Sequence, residues 1–311
     1  MSLLKISVAI CTWNRANLLR QTLEHMQRLE TDGRFDWELV IVNNNSTDHT
    51  QQVIEEFRQT LPIVDVFEPM QGHSQSRNRA VATASGDYLV WTDNDVLVEA
   101  NWLVAYYEAF EKNPDTIFFG GVIEPEFETP RPAWLEATWD ICKAVYATRM
   151  LGDQPRELDE KTLPYGANFA IRMDIQRQYL YNTTFGRKAG GMVGEDEVAV
   201  LRAIVKDGYR GMWVPAARLK HFIPTDRICE SYVRNYYIGQ GQTNVMVGKT
   251  NRNRWLLLCE AVYNYARYAI KRHYARPLEW VSHLIRASLS WGEFKASRHA
   301  ANRPGKSTSE T

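Results

Sequence analysis

The stretch VWTDNDVLVEANW, residues 90–102, runs an apolar segment into Asp93, Asn94 and Asp95. Two carboxylates this close repel, and each is costly to take out of water without a compensating charge. At a strand end the pair suits a hard divalent cation, Mn2+ or Mg2+, which takes few protein carboxylates and completes its shell with phosphate oxygens and water. A plain turn, with Asp and Asn satisfying local backbone groups, has the same composition. His221, after WVPAARLK, offers a neutral imidazole as a further ligand for Mn2+, although a single histidine is also a common structural residue. GGMVGEDE, residues 190–197, sets Glu195, Asp196 and Glu197 at a helix start behind glycines. Acids there complement the helix dipole, which also keeps them ionised at neutral pH. One held near a cation can take a proton from a hydroxyl, with Glu197 the alternative to Asp196. NNNSTD (43–48) and SQSRNRA (74–80) carry amides and hydroxyls that can read a nucleobase edge and a ribose. Arg77 or Arg79 can neutralise a phosphate.

Positioning these residues requires strands that end where they begin. The apolar, β-branched run 6–11 predicts a buried strand, followed by a helix carrying Leu18, Leu19, Leu23, Met26 and Leu29. Strands are expected over 37–42, 63–67 and 88–91. Between them fall a helix with Val53, Ile54 and Phe57, capped by Asp48 or Ser46, and a helix over 72–84. This alternation predicts an α/β domain with a parallel sheet, whose ligands bind outside the carboxyl ends of the strands. Thr12–Arg15, Asn43–Asp48 and Asp93–Asp95 all follow strands and converge on one edge. Further on, 116–123, 165–172 and 209–215 read as strands and 195–208 as a helix ended by Gly208. The run between 124 and 165 reads as a long loop with a short helix. From residue 228 the pattern is helical.

The 311 residues suffice for one large domain or two ordinary ones, and 37 basic against 37 acidic residues cancel. The distribution is uneven. From residue 251 onward there are 11 Lys/Arg against 4 Asp/Glu, net +7, leaving 26 against 33, net −7, before it. A basic tail on an acidic body fits an anionic surface, and nothing indicates nucleic acid. Cys11, Cys142, Cys229 and Cys259 have no CxxC spacing, which fits free thiols in a reducing cytoplasm. No apolar run reaches the roughly 18 residues of a spanning helix. The aromatic and basic segment 251–300 suits a helix lying on a membrane, packing on the catalytic domain, or a homodimer contact. The last residues, 301–311, are expected to be disordered.

ICTWNRANLLRQTLEHM, LVIVNNNSTDHT, GHSQSRNRAVATASGDYLVWTDND and GGMVGEDEVAVLRAIVKDGYRGMWVPAARLKH together resemble family 2 glycosyltransferases with the GT-A fold. The last of these is also similar to the C-terminal half of the β-1,4-galactosyltransferase type. The resemblance implies a mainly parallel central sheet flanked by helices, with a catalytic domain over 1–227 and a helical extension over 228–300. The nucleotide-sugar half would run to about 125 and the acceptor half from about 126 to 227. It implies that Thr12, Asn14, Arg15, Asn43, Asn44 and Asp48 hold the nucleotide, with Arg77 at the diphosphate. Asp93 and Asn94 would lie toward ribose and sugar, and Asp95 and His221 would bind Mn2+ or Mg2+. Asp196 would be the base, with Glu195 touching the acceptor. Asn43 departs from the family, since many relatives carry there an Asp that reads uracil, though a UDP-sugar remains the favoured donor.

The implied activity is inverting transfer from a nucleoside-diphosphate sugar to a saccharide or lipid-linked acceptor in surface polysaccharide synthesis. Such an enzyme would be cytoplasmic, or peripheral on the inner membrane. A retaining glycosyltransferase stays open, because fold does not fix stereochemistry. A sugar-phosphate nucleotidyltransferase needs a glycine-rich basic loop that TWNRAN matches poorly. In a non-catalytic binder, Asp95, His221 and Asp196 would have no reason to persist together.

Overall fold

The computed structural model describes residues 3–183 and 196–300, without the side chains of Asp196 and of 298–300. The glycine-rich run 190–194, Glu195, the Asp196 side chain and the tail 301–311 thus lie outside the described residues. The chain divides into two compact units. Within the described residues, one holds 3–129, 143–183 and 196–224, and the other holds 130–142 and 225–300.

In the first unit, β1 (Lys5–Thr12), α1 (Ala16–Met26), β2 (Asp36–Asn43), α2 (Thr50–Phe57), β3 (Ile63–Phe67), α3 (His73–Thr83) and β4 (Tyr88–Thr92) alternate as the periodicity predicts. Next come β5 (Val96–Val98), α4 (Trp102–Lys112) and β6 (Phe118–Phe127). The short helices α5 (Ala133–Glu136) and α6 (Trp139–Cys142) belong to the second unit. They are followed by β7 (Arg156–Leu158), β8 (Asn168–Arg172), α7 (Met173–Gln176), α8 (Asp196–Lys206) and β9 (Gly211–Ile223). The sheet order is β3-β2-β1-β4-β8-β6-β9-β5, with β7 on β9. Pairing is parallel from β3 to β4, and β8 enters antiparallel to both β4 and β6. The sheet is therefore mixed but mainly parallel, since β6 also pairs β9 parallel along Phe118–Phe127.

Alternation along β1 divides the core. Ile6, Val8 and Ile10 pack with Leu19 and Leu23 of α1 on one face, and Ala9 packs with Ala80 and Val81 of α3 on the other. Side chains of successive strand residues point to opposite faces, so a strand covered by helices on both sides reads as an unbroken apolar run. The helix α4 was not legible as a separate element. It seats Trp102, Tyr106 and Phe110 in the first of these cores.

One buried amide ties β8 to β6, β9 and α4. Asn168 of β8 donates through Nδ2 to the carbonyls of Val122 and Ala217, at 2.8 and 2.9 Å. Its Oδ1 accepts from Trp102 Nε1 at 2.9 Å and from the Tyr106 hydroxyl at 2.8 Å. These four bonds satisfy a side chain with no exposed surface. They lie beside the irregularity at Gly121/Val122, where β6 passes from pairing Val214 to pairing Arg218.

In the second unit, α9 (Glu230–Met246), α10 (Arg254–Lys271) and α11 (Pro277–Ala300) pack on one another. A Cβ at Gly241 would meet the Leu289 carbonyl at 2.3 Å, and one at Gly292 would meet the Ile238 carbonyl at 2.1 Å. Glycine at both positions lets the backbones of α9 and α11 touch.

Candidate functional site

The strand ends do converge. Thr12 closes β1, Asn43 closes β2, and Asp93–Asp95 turn from β4 into β5. Side chains stitch these ends together. Asn94 Nδ2 donates to Thr12 Oγ1 at 3.0 Å and to the Cys11 carbonyl at 3.3 Å. Asn14 Oδ1 accepts from the Thr47 and Asp48 amides at 2.7 and 3.3 Å, and the Asn14 amide donates to Ser46 Oγ at 3.0 Å. Asn14 and Asn45 have φ of +51° and +58°, a left-handed conformation that asparagine tolerates better than most residues.

Several residues expected at the nucleotide hydrogen-bond to the loops that carry them. The expected cap of α2 by Asp48 or Ser46 is shifted, since His49 stands at the N-cap position and Asp48 one residue before it. Its Oδ1 accepts from the Thr50 amide at 3.0 Å, and its Oδ2 accepts from the Ala16 amide of α1 at 3.1 Å. Burial pushes this carboxyl up, but hydrogen bonds from Thr50 and Ala16 outweigh it and hold the group below the usual carboxylate range. Asn43 donates to Gln51 Oε1 at 2.9 Å and accepts from the Ser46 amide at 3.1 Å. Asn44 donates to the carbonyls of Glu68 and Met70 and accepts from the Gly72 amide. Thr12, Asn43 and Asn44 are all buried, whereas Asn14, Arg15 and Trp13 are exposed on the rim. The sequence reading passed over Trp13. Its signal was an aromatic residue in an otherwise polar strand-end loop.

Arg77 also takes a place its sequence context did not show. It is 3% exposed, and its guanidinium lies over the rings of Trp91 and Tyr181 at 5.2 and 5.1 Å. Its Nη1 is 3.6 Å from Glu197 Oε2. A Cβ on Gly166, two residues before β8, would meet Arg77 Nη2 at 2.7 Å and Glu197 Oε1 at 3.0 Å, so the glycine leaves room for this pair. Glu197, the alternative base, is therefore an ion-pair partner in the first turn of α8.

Asp95 and His221 come together although 126 residues separate them in sequence. Val96 pairs with His221 in the β5–β9 ladder, and the Phe222 amide donates to the Asp95 carbonyl at 2.8 Å. His221 Nε2 lies 3.3 Å from Asp95 Oδ1, with both residues buried. His221 Nδ1 lies 3.2 Å from the Tyr146 carbonyl, which can only accept, so Nδ1 carries the proton. That leaves Nε2 facing a carboxylate. A lone pair there needs a proton or a cation between the two atoms. The donor set, one carboxylate and one imidazole, fits Mn2+ or Mg2+ with its remaining positions left to phosphate and water. No group of three or more His, Cys, Asp or Glu able to hold a metal occurs among the described residues. Tyr146, which orients the imidazole through its backbone, carries no sequence signal because any residue has a carbonyl.

Comparison with known proteins bears on the family and the fold. The family model of glycosyl transferase family 2 matches residues 7–180. Glucosyl-dolichyl phosphate glucuronosyltransferase of Haloferax volcanii is 26% identical over 226 residues, spanning 70% of this chain and 69% of that protein. Further curated relatives are spanned over less than half of their own length. Among solved structures, the mannosyltransferase PcManGT of Pyrobaculum calidifontis, in complex with GDP-Man and Mn2+, superposes with a TM-score of 0.59 at 17% identity. That match covers 92% of this chain and 86% of that one. TarS 1-349 of S. aureus, in complex with UDP, gives 0.56 at 13% identity over 96% and 92%. At these identities the likeness is one of fold, the GT-A fold.

Proposed function

This chain belongs to glycosyl transferase family 2, and on that premise we propose an inverting, metal-dependent transfer from a nucleoside-diphosphate sugar to a hydroxyl of a saccharide or lipid-linked acceptor. The observation that carries the proposal is the buried meeting of His221 Nε2 with Asp95 Oδ1 at 3.3 Å, while His221 Nδ1 faces the Tyr146 carbonyl. Asp95 and His221 would hold Mn2+ or Mg2+, which when bound neutralises the charge growing on the departing diphosphate. PcManGT with GDP-Man and Mn2+, and TarS with UDP and with UDP-GlcNAc, support a nucleotide sugar as donor. A UDP-sugar is favoured, with the base at the rim formed by Trp13, Asn14 and Arg15 above the buried Asn43. Asn44 and Asp48 keep that rim in shape. Asp93 and Asn94 face ribose and sugar.

The chain's own groups then perform the transfer. Asp196 takes the proton from the acceptor hydroxyl, and that oxygen bonds to the anomeric carbon from the face opposite the diphosphate. The anomeric C–O bond to the diphosphate breaks, and inversion follows from one displacement. Glu195 contacts the acceptor. We assign Arg77 to holding Glu197, and with it the first turn of α8 that begins at Asp196. The setting we propose is synthesis of a surface polysaccharide at the cytoplasmic face of the membrane, with a homodimer as the other arrangement open to the chain. The relatives support it by their names, poly(ribitol-phosphate) β-glucosyltransferase of Bacillus spizizenii among them.

A screen of UDP- and GDP-sugars for Mn2+-dependent hydrolysis identifies the donor. With that donor, Asp196→Asn should bind it normally and lose transfer by about 1,000-fold or more. Near-normal turnover of the variant would remove Asp196 from the role of base.

A further inference from the structure

The helix α10 is apolar on two faces, and only one of them is used. Leu257, Ala261, Asn264 and Tyr268 form the buried face. At 3.6 residues per turn, Trp255, Leu256, Cys259, Val262, Tyr263, Ala266 and Ile270 fall on the opposite side within an arc of about 120°. All seven are exposed, Trp255 by 63%, Val262 by 61% and Ile270 by 59%, and no charged residue of the helix lies within the arc. Tyr274, just beyond the helix, is 74% exposed. A contiguous stripe of this kind marks an interaction surface, where singly scattered apolar residues would not.

Charge identifies what covers it. Residues 249–276 contain seven Lys/Arg (249, 252, 254, 267, 271, 272 and 276) and one acid, Glu260. Arg252, Lys271 and Arg272 are paired with Glu260, Glu279 and Glu230. Arg276 adds to the positive charge that, after Lys271, holds the Glu279 carboxyl below its usual range, while Arg254 and Arg267 stand against aromatic rings. Arg254 and Arg267 lie over the rings of Trp255 and Tyr263, at 5.3 and 5.9 Å, so cations flank the apolar stripe. A second copy of the chain would bring this same basic patch against itself, since a two-fold contact is self-complementary. An anionic surface takes both features at once. No helix among the described residues is long and apolar enough to cross a membrane.

We propose that α10 lies in the plane of an anionic membrane, with Trp255, Val262, Tyr263 and Ile270 at the headgroup–acyl boundary and Arg254, Arg267 and Arg276 on the headgroup phosphates. The inference deepens the proposed function and rests on it only for the purpose of docking, access to a lipid-linked acceptor.

The test is cosedimentation of the full chain with vesicles of phosphatidylcholine alone and of equal parts phosphatidylcholine and phosphatidylglycerol. The protein should bind the second far better than the first. A triple variant, Trp255→Ser, Val262→Ser, Ile270→Ser, should lose at least ~100-fold in affinity. Arg267→Gln and Arg276→Gln should each weaken binding about fivefold. All three positions in the triple variant are on the surface, and an unchanged circular dichroism melt checks the fold. No binding to anionic vesicles, equal binding to both compositions, or undiminished binding by the triple variant overturns the proposal. So does a dimer in analytical ultracentrifugation that the triple variant dissolves, which would give the face to a second copy. Nucleotide binding with Mn2+, measured without vesicles, keeps the transfer reading separate. Its loss from the wild type would indict that reading and leave the vesicle result standing.

Discussion

The sheet edge and the helix α10 are opposite solutions to displaying function. At the edge, almost every polar side chain is tied to another part of the chain. Asn14, Asn43, Asn44, Asp48 and Asn94 all hydrogen-bond across loops, and the Asp95–His221 pair is buried. On α10, seven residues of one face touch little, and the helix is held from behind by Leu257, Ala261, Asn264 and Tyr268. The contrast shows where rigidity is required. A site that must hold two ligand atoms a few ångströms apart draws its precision from ladder register and satisfied polar networks. A surface that meets a fluid partner needs only area and charge.

Substitutions should separate the regions by their effect on stability. The largest loss is expected at Asn168→Ala, which leaves the Trp102 indole N–H, the Tyr106 hydroxyl and two carbonyls without their partner. About 4 kcal/mol should be lost in urea unfolding, since each stranded group costs about 1–3 kcal/mol. A loss under about 1 kcal/mol would mean that water replaces the amide and that the network is not what ties β8 to β6, β9 and α4. Arg77→Met should cost about 2–3 kcal/mol by breaking an ion pair with one partner nearly buried, and should lower turnover more than donor affinity. An equal fall in both would give Arg77 a direct role at the donor.

Asp48 offers a pH test. Its carboxyl is depressed in the folded state, so its contribution is present above the unfolded value and fades as pH falls through the folded one. The stability gap between wild type and Asp48→Asn should therefore narrow on acidification. A gap independent of pH would show that the carboxylate form is not what the α1 and α2 amides require. At the small end, Ile270→Ser should change stability by no more than about 0.5 kcal/mol. A larger loss would mean the outer face of α10 is covered after all.

How far the sequence revealed these regions follows from the forces involved. The β1–β4 half was legible because local periodicity determines it: apolar runs such as 6–11 and 37–42 became strands within a residue or two of expectation. The loops at their ends were legible as a cluster but not in role. Asp48 and Asn44 look like ligands by type, yet their oxygens and amides are spent on the backbone, which only tertiary geometry shows. His221 was found by type and order. The reason it reaches Asp95, pairing of β9 with β5, depends on a three-residue strand too short to carry a pattern. α4 was missed between two stronger signals. On α10 the basic and aromatic composition was visible, but which face the bundle covers was not, because both faces are apolar.

The proposed transfer depends most on Asp95 and His221 sharing a divalent cation that a nucleotide completes. Calorimetric titration of UDP, and in turn GDP, should show binding that requires Mn2+ in the wild type. The affinity should fall at least ~100-fold in both Asp95→Ala and His221→Ala, with the thermal unfolding of the protein retained. Nucleotide binding that ignores Mn2+, or that survives both substitutions unchanged, would contradict it.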